Sequence, residues 1–370
     1  MAKKSVQLSG VTVAQTELCS IDAEQGILRY RGYDIADLAE HSTYEETAYL
    51  LLEGELPTAA ELDAFQEELA ARELPRAVAA IVDGYAQDAS PMEMLRTAVS
   101  ALSFDDPDEA AIDRGSERRK AAGLTAQLPT IVARYHRRRE GFEPVLPDPS
   151  LSYAENFLTM LRGETPTEQE TRAFDITMIL HAEHELNAST FTARVVAGTL
   201  SDLHSAVTAA ICALKGPIHG GANQAAMEFF EQVSSPEGVA DAVRERFERK
   251  QTVYGFGHPV YVTMDPRARI LKRLSESFSH DAGEPNWYAI TEATERAVRE
   301  QKGLWPNVDL YSGSLYRYLG IPNDLFPPLF AASRVIGWCA HVLEQHANNK
   351  IIRPAAEYLG PERRPFPVRA

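Results

Sequence analysis

The chain has 370 residues, of which 44% are hydrophobic, so it is long enough to fold as two domains around a sizeable core. Its formal net charge of −16 argues against binding to nucleic acid or to an anionic membrane surface, because both attract basic proteins. No apolar run approaches the ~20 residues that cross a bilayer, and the first residues lack the features of a signal peptide or an organelle presequence. We therefore expect a cytoplasmic protein.

The N-terminal segment, up to about residue 35, combines apolar residues with the turn-forming Gly26 and Gly32, which predicts extended structure. Helix signals dominate from there onward. Ser42 and Glu45 have the spacing of a capping box, and the helix that they begin is expected to end at Gly54.

Similar signals mark the starts of later helices. Thr58 and Glu61 form a second capping box, while Ser-Pro at 90–91 and Thr-Pro at 165–166 place proline at the first helical position. The chain contains no series of alternating β-branched strands, no βαβ rhythm and no internal repeat. The sequence therefore predicts an all-α fold.

The three cysteines, Cys19, Cys212 and Cys339, are far apart in sequence and form no Cys-x-x-Cys pair. This spacing favours reduced thiols packed in the core over disulfides or a metal site.

Three short segments each place one ionisable side chain on a turn marked by glycine or proline: His219 in residues 216–221, His258 in residues 255–259, and Asp309 in residues 306–309. Such a set suits abstraction of a proton from carbon, because a carboxylate can take the proton while neutral imidazoles hold the oxygen on which charge grows. Taken singly, His219 could be a turn histidine without a role and Asp309 an Asx-turn residue. Their combination makes the pattern specific.

A series of short motifs extends along nearly the whole chain. They are Leu-Ser-Gly-Val at 8–11, Tyr-Arg-Gly-Tyr-Asp-Ile at 30–35, Leu-Pro-Thr at 56–58, Ser-Pro-Met at 90–92, His-Ala-Glu-His-Glu-Leu-Asn-Ala-Ser-Thr at 181–190, Asp-Pro-Arg at 265–267, Pro-Asn-Val-Asp at 306–309, Ser-Arg at 333–334 and Ile-Arg-Pro at 352–354. With the two histidine turns, this order resembles the citrate synthase family. Only residues 104–149 match poorly.

The resemblance implies a two-domain, all-α fold with a short extended N-terminal segment. A large helical domain would comprise residues 1–221 and 324–370, and a small helical domain would comprise residues 222–323. The active site would lie in the cleft between them. Members of this family are acyltransferases that condense oxaloacetate with acetyl-CoA and water to give citrate and CoA.

Three residues match the catalytic residues of the family. His219 would hydrogen-bond the thioester oxygen of acetyl-CoA and stabilise the enolate, a contribution of ~3–4 kcal/mol for one such donor. Asp309 would remove the methyl proton, which requires accurate positioning and a dry cleft more than a large pKa shift. His258 would donate to the ketone oxygen of oxaloacetate.

Four residues match the oxaloacetate ligands of the family: His184, Arg267, Arg334 and Arg353. The planar guanidinium group binds carboxylates in a bidentate manner, and oxaloacetate has two carboxylates. In the family the last of these arginines comes from the partner subunit, so the resemblance implies a homodimer or a larger homo-oligomer.

Coenzyme A would be bound by Asn307 and, around its adenine, by the backbone of Thr252, Val253, Tyr254, Gly255, Phe256 and Gly257. One departure concerns its phosphates, because Pro259 and Val262 occupy positions where many relatives carry basic residues. Charge could instead come from Arg269, Lys272 or Arg273, or from the basic run at 136–139.

The acyl substrate is either acetyl-CoA or propionyl-CoA, which would give 2-methylcitrate, and a bifunctional enzyme is also possible. Residues 4–11 and 257–261 resemble the 2-methylcitrate branch, whereas His181, Val308 and Tyr311 resemble the citrate branch. Because pocket residues decide which acyl chain fits, we expect citrate synthesis. One methylene is worth only ~1–3 kcal/mol, so some activity with propionyl-CoA is expected either way.

Two other classes of function compete with this interpretation. His181 and His184 share one helix face and could form part of a zinc hydrolase, but the His-Glu-x-x-His spacing is absent. A catalytically silent scaffold would not be expected to keep both histidine turns, the aspartate and the three arginines. We therefore expect no metal and no cofactor, acetyl-CoA being a substrate.

Overall fold

The computed structural model describes residue 8 and residues 10–280, 283 and 286–366. The described residues do not include Ser9 of the first motif, most of the 4–11 segment or the two termini of the predicted large domain.

Within these ranges the chain is built from three short strands and sixteen α-helices, which confirms the all-α class. The elements are β1 (Cys19–Asp22), β2 (Ile27–Tyr30), β3 (Tyr33–Asp34), α1 (Ile35–His41), α2 (Tyr44–Glu53), α3 (Ala59–Ala70), α4 (Arg76–Tyr85), α5 (Pro91–Leu102), α6 (Arg114–Arg139), α7 (Tyr153–Arg162), α8 (Glu168–His181), α9 (Ala188–Ala197), α10 (Leu203–Leu214), α11 (Ala222–Val233), α12 (Val239–Glu248), α13 (Pro266–Ser279), α14 (Trp287–Lys302), α15 (Val308–Tyr318) and α16 (Phe326–Ala347).

The predicted extended N-terminal segment forms an antiparallel sheet in the order β1-β2-β3. In its first hairpin Cys19 lies opposite Tyr30 and Asp22 lies opposite Ile27. The Asp22 carboxylate accepts hydrogen bonds from two backbone N–H groups in the turn, and Gly26 closes the turn with a positive φ of 65°. The turn therefore has both the side-chain cap and the glycine that its conformation requires.

The start of α2 differs from the prediction by one residue. Thr43 caps the helix with Glu46, rather than Ser42 with Glu45. Glu45 is instead buried, and its carboxylate accepts from the backbone N–H of Tyr153 at 2.9 Å, at the start of α7. A tertiary contact therefore takes the glutamate that the local pattern assigned to the cap.

The other helix starts follow the sequence more closely. The box at Thr58 is present as predicted, Pro91 is the first residue of α5 as predicted, and α2 ends at Gly54 with φ 99°. Helix α8 begins two residues later than Thr-Pro at 165–166 predicted, because Glu170 bonds back to the N–H of Thr167 at 2.7 Å.

Helix α16 is the centre of the core. It is buried along almost its whole length, and it contacts α2, α6, α8, α9 and α10. Helices α11–α15 pack mainly against one another, with α13 on α15 and α12 on α14. This grouping agrees with a small domain at 222–323, which stays a prediction.

The cysteines are all unbridged, but only two of them pack in the core. Cys19 and Cys339 are buried, whereas Cys212 is exposed on α10. No helix in the described ranges combines the length and the apolar character that crossing a membrane requires.

Candidate active site

Two histidines from distant segments of the chain lie close together, near the N-terminal sheet. His184 follows α8 and His258 precedes α13, and their ring centroids are 5.0 Å apart. Tyr261 contacts both rings, with its hydroxyl 3.1 Å from His184 Nε2. Burial, and secondarily Arg267, lowers the pKa of His184 well below its ordinary value. His184 is therefore a neutral ring in a closed environment.

The loop after His258 fixes the position of the proton on its ring. The backbone N–H groups of Val260 and Tyr261 point at Nδ1, at 3.0 and 3.3 Å. Nδ1 must accept these bonds, so Nε2 carries the proton of the neutral ring. Burial, and then the neighbouring Arg267, lowers the pKa of His258 to about 4. His258 can thus offer one N–H donor without becoming a cation.

His219 has the opposite tautomer. The backbone N–H of Ser189, in the first turn of α9, can only donate, and it points at His219 Nε2 at 3.3 Å; the Ser189 hydroxyl lies 2.9 Å from the same nitrogen. The lone pair on Nε2 faces the positive end of the helix dipole, which also disfavours a proton there. Nδ1 therefore carries the hydrogen. Burial, and then Arg334, lowers the pKa of His219 to about 4, so this ring is neutral as well.

Asp309 lies in the first turn of α15, and Asn307 caps the helix by accepting from the Asp309 N–H at 3.0 Å. One carboxylate oxygen, Oδ1, is enclosed and has no hydrogen-bond partner among the described residues. Burial raises the pKa of Asp309 to about 7, against the opposing effect of Arg267. Removal of the carboxylate from water is the main cause of this rise in pKa, which the sequence did not predict.

Arg267 begins α13 as a buried ion pair with Asp265. Its Nε and Nη2 donate to the two oxygens of Asp265 at 3.0 and 2.7 Å. Burial alone would lower the pKa of Arg267, but Asp265 raises it, so the guanidinium stays charged. In the described part of the chain Nη1 has no hydrogen-bond partner, which leaves one nitrogen for a ligand.

Arg334 lies in the buried middle of α16. Its Nε donates to the carbonyl oxygen of His181, while its Nη2 is buried without a partner in the described ranges. Burial lowers the pKa of Arg334 to about 10. A buried guanidinium with an unpaired nitrogen is unfavourable until an anion fills the site. Arg334 is therefore suited to receive a carboxylate.

These two arginines are the common neighbours of the other groups. Arg267 acts electrostatically on His184, His258 and Asp309. Arg334 acts on His184, His219 and Asp309. The structure thus gathers two arginines, three neutral histidines and one aspartate around a single region.

Arg353 does not join this group within the chain. It is exposed, in the segment that follows α16. Its neighbour Ile352 lies beside Gly198, just beyond the C-terminal end of α9, whereas Ser189 lies at the N-terminal end of that helix. Ser189 and Gly198 are about 14 Å apart along the helix, since each helical residue adds 1.5 Å.

The loop at 252–257 lies directly against the start of α15. Asn307 donates from its side chain to the Gly257 carbonyl and from its backbone to the Gly255 carbonyl, both at 2.9 Å. Gly255 has φ 90°, and a Cβ there would lie 3.0 Å from Leu310 Cα. Of the loop residues, Thr252 is exposed, Val253 and Gly255 are buried, and Tyr254, Phe256 and Gly257 are half-buried.

The candidates for binding phosphate differ in their surroundings. Lys272 forms an ion pair with Glu295 at 2.9 Å, and two arginines of the basic run at 136–139 pair with acidic neighbours. Arg269 and Arg273 are exposed on α13, without an ion-pair partner in the described ranges. Arg137 of the basic run also has no ion-pair partner in these ranges, but it is half-buried and its Nε donates to the Glu143 carbonyl. Arg269 and Arg273 are therefore the exposed candidates without an ion-pair partner.

Among the described residues, one group of three side chains has the spacing of metal ligands, namely His184, His258 and Asp265, whose ligand atoms lie within 4.8 Å of one another. His181 is not part of it, and its Nδ1 donates to a backbone carbonyl of its own helix. A cation would have to displace Arg267 from both oxygens of Asp265. These contacts disfavour the zinc alternative.

Three residues of this site, Ser189, Tyr261 and Asp265, were not predicted from the sequence. Ser189 and Tyr261 act through hydrogen bonds to histidines that are distant in sequence, and no local pattern signals such contacts. Asp265 could have been found, because Asp-Pro before a helix is a typical N-cap, which here also holds Arg267.

Comparisons with known proteins identify close relatives. The family model "Citrate synthase, C-terminal domain" matches residues 7–355. The citrate synthase of Haloferax volcanii is 49% identical over 359 residues, 95% of each chain. The 2-methylcitrate synthase of Shewanella oneidensis is 42% identical over 355 residues, 95% of this chain and 94% of the relative. The solved ternary complex of carboxymethyl coenzyme A and oxaloacetate with citrate synthase from Thermoplasma acidophilum superimposes with a TM-score of 0.93 at 36% identity, over 99% of both chains.

Proposed function

Because this chain belongs to the citrate synthase family, we propose that it is an acyltransferase that condenses oxaloacetate with acetyl-CoA and water to give citrate and CoA. The observation that carries the proposal is the grouping of Asp309, His219 and His258 around two buried arginines. Carbon-acid chemistry needs a base and neutral donors, and the pKa values of the three side chains give each group the protonation state for its step.

The first step is the enolisation of acetyl-CoA. Asp309 takes a proton from the methyl group, while the Nδ1–H of His219 donates to the thioester oxygen. A carboxylate whose pKa is about 7 is a stronger base than an ordinary aspartate, and it is still mostly ionised at slightly alkaline pH. The neutral donor keeps its proton until charge develops on the oxygen.

In the second step the enolate carbon forms a bond to the ketone carbon of oxaloacetate, and the C=O electron pair moves to the ketone oxygen, which takes the Nε2 proton of His258. The proton that Asp309 took from the methyl group is released through water and restores the proton of His258. The unpaired nitrogens of Arg334 and Arg267 receive the two carboxylates, together with His184. Water then hydrolyses the citryl thioester and releases CoA. Each step moves protons and electron pairs between groups named here, so the proposal includes no metal or redox cofactor.

Coenzyme A would lie along the loop at 252–257, next to Asn307. In support, hydrogen bonds from Asn307 join this loop to the turn that carries Asp309. The exposed Arg269 and Arg273 are the cations that we assign to the phosphates.

The alternative acyl substrate is propionyl-CoA, giving 2-methylcitrate. It is favoured by one specific finding, the 42% identity with the 2-methylcitrate synthase of Shewanella oneidensis. The ratio of kcat/KM for acetyl-CoA and propionyl-CoA decides between the two, and a ratio above one supports citrate synthesis.

We also propose that the functional unit is a homodimer or a larger homo-oligomer, in which Arg353 completes the site of the partner. The exposed position of Arg353 supports this, as do apolar side chains that are exposed along the same C-terminal segment, including Ile351, Tyr358, Leu359 and Phe366. Several large apolar side chains exposed in one segment are consistent with a protein–protein contact.

Replacing Asp309 by Asn tests the proposed chemistry. Turnover, followed by the release of the CoA thiol, should fall by about 10²–10⁴-fold because the base is lost. Binding of oxaloacetate, measured by calorimetry, should stay near that of the wild type, because Asn has the same shape and does not contact the arginines' unpaired nitrogens. Turnover like that of the wild type would remove Asp309 from the mechanism.

A further inference from the structure

The β1–β2 hairpin lies between the two segments that carry His184 and His258. At one end, the Tyr30 hydroxyl donates to the carbonyl oxygen of Glu183 at 2.8 Å, one residue before His184. At the other end, the backbone N–H of Val262 donates to the carbonyl of Ala23 in the turn, at 3.2 Å. The hairpin thus holds the backbone on both sides of the histidine pair.

The contact between the turn and the histidine loop leaves no space. A Cβ on Gly26 would lie 2.7 Å from Thr263 Cγ2 and 3.1 Å from the Met264 carbonyl oxygen. The turn itself is held by the Asp22 carboxylate, so it cannot move aside without losing its two backbone donors. Gly26 is therefore the point at which the hairpin and the loop fit closely together.

The loop that contacts the hairpin sets the geometry of the residues on either side of it, His258 and Arg267. The N–H groups of Val260 and Tyr261 orient the ring of His258, and the adjacent Val262 is fixed by the hairpin. Three residues further on, Asp265 holds Arg267. A displacement at residues 262–264 would therefore move a ketone donor and a carboxylate ligand together.

We propose that the β1–β2 hairpin is a positioning element of the active site, which sets the spacing of His258 and Arg267 relative to His184. This inference rests on the proposed function, because it assigns those side chains to oxaloacetate. Loosening the contact should weaken oxaloacetate binding and slow the condensation, with little effect on the affinity for acetyl-CoA. If the hairpin only added stability, loosening the contact would not weaken oxaloacetate binding selectively over acetyl-CoA binding.

Gly26→Ala tests the proposal, with Gly32→Ala as the matched control. Both glycines have positive φ, 65° and 92°, but no atom of the described residues lies within 4 Å of a Cβ on Gly32. Both variants therefore carry backbone strain, and only Gly26→Ala pushes on the loop. We expect Gly26→Ala to raise the KM and Kd of oxaloacetate and to lower kcat/KM by about 10–100-fold, as misplaced groups typically do. Gly32→Ala should resemble the wild type.

A second substitution separates contact from instability. Thr263→Ser removes the Cγ2 atom that the new Cβ would meet, so Gly26→Ala with Thr263→Ser should recover most of the loss. Tyr30→Phe retains the ring and loses the hydroxyl at the other end of the hairpin. It should weaken oxaloacetate binding by a smaller factor, again with little effect on acetyl-CoA. It also tests the proposal if Gly26→Ala does not fold.

Calorimetric binding of oxaloacetate is measured beside turnover, so the hairpin is tested independently of catalysis. A wild-type chain that binds oxaloacetate without condensing it would contradict the proposed function alone. Equal behaviour of Gly26→Ala and Gly32→Ala, absence of rescue by Thr263→Ser, or equal losses for both substrates would overturn the positioning role.

Discussion

His219 and His258 carry their protons on opposite ring nitrogens, and the backbone decides this in both cases. A backbone N–H of α9 takes the lone pair of His219 Nε2, and two N–H groups of its own loop take that of His258 Nδ1. The sequence places both rings on turns and predicts their neutrality. It cannot predict the tautomer of His219, because Ser189 is 30 positions away and meets the ring only through tertiary packing.

The enclosed oxygen of Asp309 makes a prediction about pH. The base must be ionised to act, and burial raises its pKa to about 7. We therefore expect kcat/KM for acetyl-CoA to fall about tenfold for each pH unit below about 7, and to level off above it. The two histidines that we propose as catalytic, with pKa values of about 4, should not contribute in this range. A pH–rate profile between pH 5 and 9 measures this.

The same carboxyl group links stability to pH, which gives an independent check. Its pKa in the folded state lies above that in the unfolded chain, so the folded state binds the extra proton and loses stability as the pH rises through about 7. Asp309→Asn should therefore raise the unfolding temperature more at pH 8 than at pH 5. An equal effect at both values would mean that the carboxyl group is not perturbed.

At the scale of single elements, local sequence patterns located the starts of α2, α3, α5 and α8 to within two residues, but they could not tell which of two neighbouring residues caps α2. The Thr43 and Ser42 patterns are equally good locally, and the contact of Glu45 with Tyr153, 108 positions away, decides between them. Short-range signals also gave no indication of how closely α16 approaches the segment before His184. That approach depends on Gly337, which sits in an otherwise ordinary helical pattern.

Two glycines inside helices should respond to alanine with opposite signs. A Cβ on Gly337 would overlap the carbonyl oxygen of Ala182 and lie 2.5 Å from Glu183 Oε2. In the part of the chain that the structure describes, nothing lies within 4 Å of a Cβ on Gly84 in α4. We expect Gly337→Ala to lower the free energy of unfolding by about 1–3 kcal/mol or more. Gly84→Ala should raise it by up to about 1 kcal/mol, through helix propensity alone. Denaturant unfolding of both variants measures the difference.

Because Ala182 is close to His184 in sequence, turnover provides a second measurement for comparing Gly337→Ala with Gly84→Ala. Gly337→Ala should also reduce turnover, because it displaces the backbone next to a proposed substrate ligand, while Gly84→Ala should leave turnover unchanged. A stabilising Gly337→Ala would show that α16 has more freedom at this point than its packing indicates.

For the molecule as a whole, the family and the all-α fold followed from the sequence, because many ordered motifs and helix signals agree over most of the chain. Arg353 is the one predicted ligand that the folded chain does not bring to the others. Sequence alone assigned it to a partner only through the resemblance. Its exposed position, beyond the far end of α9, is what a residue serving another subunit requires.

Complementation between two inactive variants tests the shared site. Asp309→Asn and Arg353→Ala should each be nearly inactive alone. In a mixed dimer, however, the chain with intact Asp309 receives Arg353 from its partner, so one of the two sites is complete. Random mixing after dissociation should restore about a quarter of the wild-type activity in a dimer, because half of the dimers are mixed. If Arg353 served its own chain, no site would be complete and no activity would return.

The unpaired nitrogen of Arg334 has a consequence for the empty protein. Because one buried guanidinium nitrogen has no hydrogen-bond partner among the described residues, an anion that binds there should make the chain more resistant to unfolding. Any inert C4 dicarboxylate that fits between the two arginines should therefore protect the chain against heat and proteases. Through binding at the proposed substrate site, the concentration of such dicarboxylates would then also affect the lifetime of the folded protein.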